Sequence, residues 1–138
     1  MAEPQGRRQT CLRYFLDFLK AFDRVWHKRL LHKLLSCGVS LDSTAWIADY
    51  LCNRGLRVRV GSSISSSQPM NAGVPHGSHL GLVLFLIFIN NLPAVVNIPT
   101  ELFANDALFH YQADKDDSLT SSAVIQASVS DAEAWAQS

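Results

Sequence analysis

Residues 80–89, Leu-Gly-Leu-Val-Leu-Phe-Leu-Ile-Phe-Ile, form the longest apolar run of the chain and are followed by Asn90 and Asn91. Such a run is stable only out of water, yet crossing a bilayer takes about 20 residues. It therefore predicts a buried helix, and a buried helix needs other elements to wrap it. The chain has the material, with 138 residues, 48% hydrophobic and 17% charged, which fits one domain with a real core. No secretory or membrane segment is expected, because residues 1–10 are polar and the run after them is interrupted by Arg13, Asp17 and Lys20.

The remaining pattern predicts an α/β order of the α+β kind. Residues 1–12 read as a disordered N-terminal segment and 13–138 as the folded part. An apolar run at 14–16 reads as a short buried strand ending in Asp17. A helix follows over 25–36, with Leu30, Leu31, Leu34 and Leu35 at helical spacing and Gly38 as its stop. A second helix over 43–52 places Trp46, Ile47, Tyr50 and Leu51 on one face. Residues 56–60 alternate Leu56, Val58 and Val60 with Arg57 and Arg59, a half-buried strand, and a serine-rich loop covers 62–67. The apolar helix is closed by Pro93. Strands near 101–104 and 107–111 form a hairpin joined at Asn105-Asp106. Residues 114–118 read as a linker and helix cap, lacking the glycine and glutamate of a calcium loop. The last helix, over 119–136, has Val124, Ala127, Ala134 and Trp135 as its apolar positions.

Asp17 at a strand end and Asp106 in a hairpin turn can converge in space. Phosphoryl transfer to a hydroxyl uses such carboxylates to hold magnesium ions that activate the attacking oxygen and stabilise the leaving one. A strand-end Asp is equally a capping residue, and Asn-Asp is equally an ordinary hairpin turn. A third segment, 72–81, contains Gly73, Pro75, Gly77 and Gly81, an irregular loop where backbone approaches a ligand or another chain before a helix begins.

Four stretches in order then define a resemblance: Phe15-Leu16-Asp17 with Lys20-Ala21-Phe22-Asp23-Arg24-Val25, Ala72-Gly73-Val74-Pro75-His76-Gly77-Ser78-His79-Leu80-Gly81, Phe88-Ile89-Asn90-Asn91-Leu92-Pro93, and Phe103-Ala104-Asn105-Asp106. Together they resemble the reverse transcriptase domain of non-long-terminal-repeat (LINE-type) retrotransposons, over residues 14–135. The resemblance implies an RNA-directed DNA polymerase using Mg2+, with an RNA template, a DNA primer and a deoxynucleoside triphosphate as partners. It implies a polymerase palm core, an antiparallel sheet whose catalytic hairpin packs on helices, with fingers and thumb largely missing. It makes Asp17 and Asp106 catalytic metal ligands and sets Asn105 where the family has the first carboxylate of a pair. Phe22 becomes the aromatic residue beneath the incoming sugar that excludes a 2′-hydroxyl, its alternative being a core aromatic. Gly73, Pro75, His76, Gly77 and Ser78 become nucleotide-contacting residues.

The sequence departs from the family at Asn105, at His76 in place of a glutamine, at Leu82 in place of a proline and at Asn91 in place of an aspartate. These departures predict impaired catalysis. They keep open a non-catalytic nucleic-acid-binding remnant and a small protein-interaction module, and an exposed palm surface predicts marginal stability or self-association.

Charge and thiols add little at this level. Lys and Arg number 12 and Asp and Glu 12, so nucleic-acid contact would need a local cluster. Arg24, Lys28, Arg29 and Lys33 form one and Arg54, Arg57 and Arg59 another, and each reads equally as a solvated face. Cys11, Cys37 and Cys52 are odd in number and lack paired metal spacing, which predicts free thiols in a reducing, intracellular compartment, cytoplasmic or nuclear. His27, His32, His76 and His79 match no zinc pattern.

Overall fold

The structure, a computed structural model, describes residues 9–114 and 118–137. In chain order it contains β1 (Gln9–Asp17), a 3-10 turn (Phe22–Arg24), α1 (His27–Ser36), α2 (Leu41–Leu51), β2 (Gly55–Leu56), β3 (Arg59–Val60), β4 (Ser63–Ile64), β5 (Gln68–Pro69), α3 (His79–Ile89), α4 (Leu92–Val95), β6 (Thr100–Phe103), β7 (Asp106–Asp114) and α5 (Ser118–Gln137). The mixed α and β content agrees with the expected class. The chain divides into two compact units, residues 1–18 with 90–138, and residues 19–89.

In the first unit a three-stranded antiparallel sheet has the order β1-β7-β6. Every residue of β1 has a register partner on β7, from Gln9 opposite Asp114 to Asp17 opposite Asp106. β1 therefore starts at Gln9 and not near Tyr14, because the long β7 supplies a hydrogen-bonding partner to each earlier residue. The expected disordered segment is corrected accordingly: residues 9–12 are strand, and 1–8 lie outside the described residues, as do 115–117 of the expected linker. Period-2 alternation turns Ala107, Phe109 and Ala113 of β7 inward, all buried. α5 packs on β7 and α4. Its inward stripe is Ser121, Ile125, Ser128, Ala132 and Trp135, while the expected Ala127 and Ala134 are exposed. The Trp135 indole Nε1 donates to Asn91 Oδ1 at 3.1 Å, and its ring meets Phe18 edge-on at 5.9 Å between centroids. Asn91 thus accepts a bond in the core of this unit. The apolar helix ends at Ile89 and not at Pro93, which lies in the first turn of α4, where its missing N–H costs nothing.

In the second unit α1 packs on α2 and α3. Leu30 and Leu34 of α1, Ile47 and Leu51 of α2, and Leu84, Phe85, Phe88 and Ile89 of α3 make its core. α1 begins two residues later than expected because Val25 is extended, with φ −62° and ψ 111°, and fully buried. α2 begins where Ser40 Oγ accepts from Ser43 N at 3.2 Å, an ordinary N-cap. Trp46 is the exception to its expected face, at 61% exposure. The expected half-buried strand over 56–60 is instead one side of a two-stranded ribbon in which β2 pairs with β5 and β3 with β4. All residues from 52 to 69 are exposed, since among the described residues no second layer covers the ribbon. No helix of the described residues is long and apolar enough to cross a membrane. Cys11, Cys37 and Cys52 are free and exposed.

The zero net charge conceals a segregation. The second unit carries eight Lys and Arg against three Asp and Glu, and the first carries four against nine.

Candidate active site

The first unit assembles the carboxylates. β1 and β7 run antiparallel, and their last register pair is Asp17 opposite Asp106, with Phe103 of β6 opposite Asp106 on its other side. Cross-strand partners share a face, so Asp17, Asp106 and Phe103 lie on one face, with their Cβ atoms about 5 Å apart across each pair. That face is the open one: Phe103 is 83% exposed and Phe15, two residues before Asp17, is 79% exposed.

The turn differs from the expected one by a residue. Asp106 already belongs to β7, and the two turn residues are Ala104 and Asn105. Ala104 takes φ +51°. Asn105 bends back over β1: its Nδ2 donates to Asp17 Oδ1 at 2.6 Å, and its carbonyl oxygen accepts from the Phe18 N–H at 3.1 Å. The side-chain amide therefore occupies a lone pair of the Asp17 carboxylate, and a charge-assisted bond of this kind is roughly twice as strong as a neutral one. It also relieves part of the repulsion between two carboxylates set opposite each other.

Among the described residues no three or more His, Cys, Asp or Glu side chains converge as a metal site. Two carboxylates with an amide oxygen can supply one magnesium ion, which takes one or two carboxylates with phosphate oxygens and water. They fall one carboxylate short of a set that bridges a pair of ions.

The second unit assembles the loop residues around Phe22. The Gly73 N–H donates to the Val25 carbonyl at 2.8 Å and the Val74 N–H to that of Phe22 at 2.9 Å. Gly73 has φ +93°, and a Cβ there would lie 3.0 Å from the Asp23 backbone, so this close approach requires glycine. His27 Nε2 donates to the Gly73 carbonyl at 2.7 Å. His76 Nε2 lies 2.7 Å from Asp23 Oδ1, and its ring contacts Phe22 at 5.5 Å between centroids. On its other side Phe22 packs on the buried Phe85 at 4.4 Å. Phe22 is thus both a core contact and a wall. Pro75, His76, Gly77, Ser78 and Leu82 complete with it a cleft of about 320 Å³. Ser78 Oγ accepts from the Gly81 N–H at 2.9 Å and caps the start of α3.

The structure therefore brings Asp17, Asn105 and Asp106 together in one unit and Phe22, Gly73, Pro75, His76, Gly77 and Ser78 together in the other. Asp23 was missed as a partner of His76. The signal available was its position directly after Phe22.

One unit thus carries its carboxylates on the open face of a hairpin, and the other sets a glycine loop before an apolar helix. The family profile described as reverse transcriptase (RNA-dependent DNA polymerase) matches residues 3–138, and the chain belongs to that family. It is similar to the RNA-directed DNA polymerase from mobile element jockey of Drosophila melanogaster, 34% identical over 128 residues, which are 93% of this chain and 14% of that protein. A jockey polymerase of Drosophila funebris is 38% identical over 111 residues, 80% of this chain and 12% of the relative. The probable RNA-directed DNA polymerase from transposon BS of Drosophila melanogaster is 38% identical over 86 residues, 62% of this chain and 9% of the relative. These are non-long-terminal-repeat elements, so the chain is a reverse transcriptase domain of that kind. It spans between 9% and 14% of the length of the curated relatives it matches.

Proposed function

We propose that residues 13–138 form the palm core of an RNA-directed DNA polymerase and that Asn105 reduces its catalysis. Asp17 and Asp106 would hold a divalent cation, with Mg2+ the ion implied by the family. Phe22, Gly73, Pro75, His76, Gly77 and Ser78 would receive the deoxynucleoside triphosphate, with an RNA template and a DNA primer as the macromolecular partners. When bound, the ion activates the primer hydroxyl and stabilises charge on the leaving phosphate. The chain's own part is to hold Asp17 and Asp106 on one sheet face and to wall the sugar with Phe22.

The observation that carries the reduced-activity reading is the Asn105 Nδ2 bond to Asp17 Oδ1. A unit charge lost about 4 Å from a cation, at an effective dielectric of about 20, forfeits on the order of 4 kcal/mol. That corresponds to roughly a thousandfold in rate. Single-turnover extension of a primed RNA template by the wild-type chain and by Asn105→Asp tests it. The expected result is a gain on the order of a thousandfold in the variant, and equal rates would overturn the reading.

A second reading, nucleic-acid binding without catalysis, is favoured by the same amide bond together with the basic second unit. It predicts salt-dependent binding of primer and template with no extension by either protein.

A further inference from the structure

The second unit presents an exposed surface apart from the residues of the candidate site. Trp46 and Tyr50, one turn apart on α2, stack nearly parallel, with ring centroids 5.9 Å apart and an interplanar angle of 11°. The Arg54 guanidinium continues the stack over Tyr50 at 5.5 Å. Directly beyond it the chain enters the ribbon. Its sides are held by the Met70 N–H to Arg54 carbonyl bond at 2.9 Å and by Val58 and Ser65, whose backbones and Ser65 Oγ exchange bonds of 2.9 Å. Arg57 lies between β2 and β3 and Arg59 opens β3, and both are exposed. Arg59 Nε donates to the Gly61 carbonyl at 3.1 Å near the ribbon tip, and its guanidinium carries further N–H donors.

Along the sequence no Asp or Glu occurs between Asp49 and Glu101, and the acidic residues nearest the rings on α2 are Asp42, four residues before Trp46, and Asp49, three after it. A ribbon lined by arginine beside an exposed aromatic stack has the two parts that single-stranded nucleic acid needs. Cations take the phosphates, and a flat ring takes the face of an unpaired base whatever its identity.

We propose that the exposed end of the Trp46-Tyr50-Arg54 stack, with Arg57 and Arg59 on the ribbon, binds a single strand of RNA. A base stacks on the exposed aromatic rings of α2, and phosphates further along the same strand pair with Arg57 and Arg59 on the ribbon. A duplex fits less well, since its bases are already stacked on one another. The inference rests on the nucleic-acid reading of the chain but not on catalysis.

The test is fluorescence anisotropy of a labelled oligouridylate with the full chain over a range of salt concentrations. Replacing Arg57 and Arg59 together by Gln removes two phosphate contacts, so the slope of log K against log salt falls in magnitude by about 1.4, and affinity near 0.1 M salt falls roughly 25-fold. Trp46→Ala lowers affinity roughly 5- to 150-fold and leaves the slope unchanged, because stacking releases no counterions. All three positions are exposed, so circular dichroism of the variants should match wild type. The double variant Arg24→Gln/Lys28→Gln, elsewhere in the same unit, should retain most of the wild-type slope. The proposal is overturned if the ribbon variant keeps the wild-type slope, if the Arg24/Lys28 variant loses as much, if duplex RNA binds as tightly and independently of Trp46, or if the wild-type chain binds no oligouridylate at low salt. A chain that extends no primer yet shows these slopes leaves this inference standing and overturns the catalytic reading alone.

Discussion

At the turn of the β6–β7 hairpin an alanine adopts left-handed backbone, φ +51° at Ala104, at the first central position of a two-residue turn where glycine is the usual occupant. The left-handed conformation costs an alanine about 1–2 kcal/mol, part of which glycine would lose again through the greater freedom of the unfolded chain. Ala104→Gly should therefore raise stability by a few tenths to about 1 kcal/mol, read as a higher denaturant midpoint at unchanged slope. The sequence pointed to Asn105-Asp106 as the turn because both residue types favour it. The register instead obeys the inward alternation of Ala107 and Phe109, which leaves Asp106 on the open face beside Asp17. That choice was hidden because turn chemistry and strand alternation differed by one residue, and burial of Phe109 outweighs the turn preference. Asp17 itself was legible as a strand end, and the glycine loop as a close backbone approach. The hydrogen bond from Asn105 was not, since a sequence shows the missing carboxylate but not where the amide turns.

α3 and the loop before it show how little room an element can leave. A Cβ on Gly81 would lie 2.2 Å from the Pro75 carbonyl oxygen. Alanine in a helix interior gains up to about 1 kcal/mol over glycine, but overpacking against backbone costs about 1–3 kcal/mol, so Gly81→Ala should be net destabilising. Thermal unfolding checks the sign. On α1, Lys33 donates to the Phe88 carbonyl and sits 4.9 Å from the centre of its ring. Both contacts favour the ammonium, yet burial, and next the nearby Arg29, lower its pKa to about 8 from 10.5. Between those values the folded chain has released a proton that the unfolded chain keeps, so stability rises with pH across that window. Lys33→Met should flatten this rise in melting temperature between pH 8 and 10. The elements themselves were largely visible from periodicity. On α5 Trp135 is buried as expected but Ala127 and Ala134 are not, because Ser121 and Ser128, polar by type, are small enough to lie in the buried stripe, and the ribbon differs from a half-buried strand because alternation implies a covering layer that the described residues do not supply.

For the molecule as a whole, net charge hid what mattered, since opposite excesses on the two units cancel in the sum. The chain spans 9% to 14% of its curated relatives, so the central claim is best tested by a property of this chain alone. That claim is that Asn105 leaves the carboxylate site one charge short and ties up Asp17. The decisive measurement is a Mn2+ titration of the wild-type chain and of Asn105→Asp, followed by paramagnetic broadening of the backbone amide signals of residues 17, 105 and 106. The account predicts that the variant binds at least about tenfold more tightly, and that without metal it is less stable than wild type because a third carboxylate replaces the amide donor. Equal Mn2+ affinity in the two proteins would contradict it.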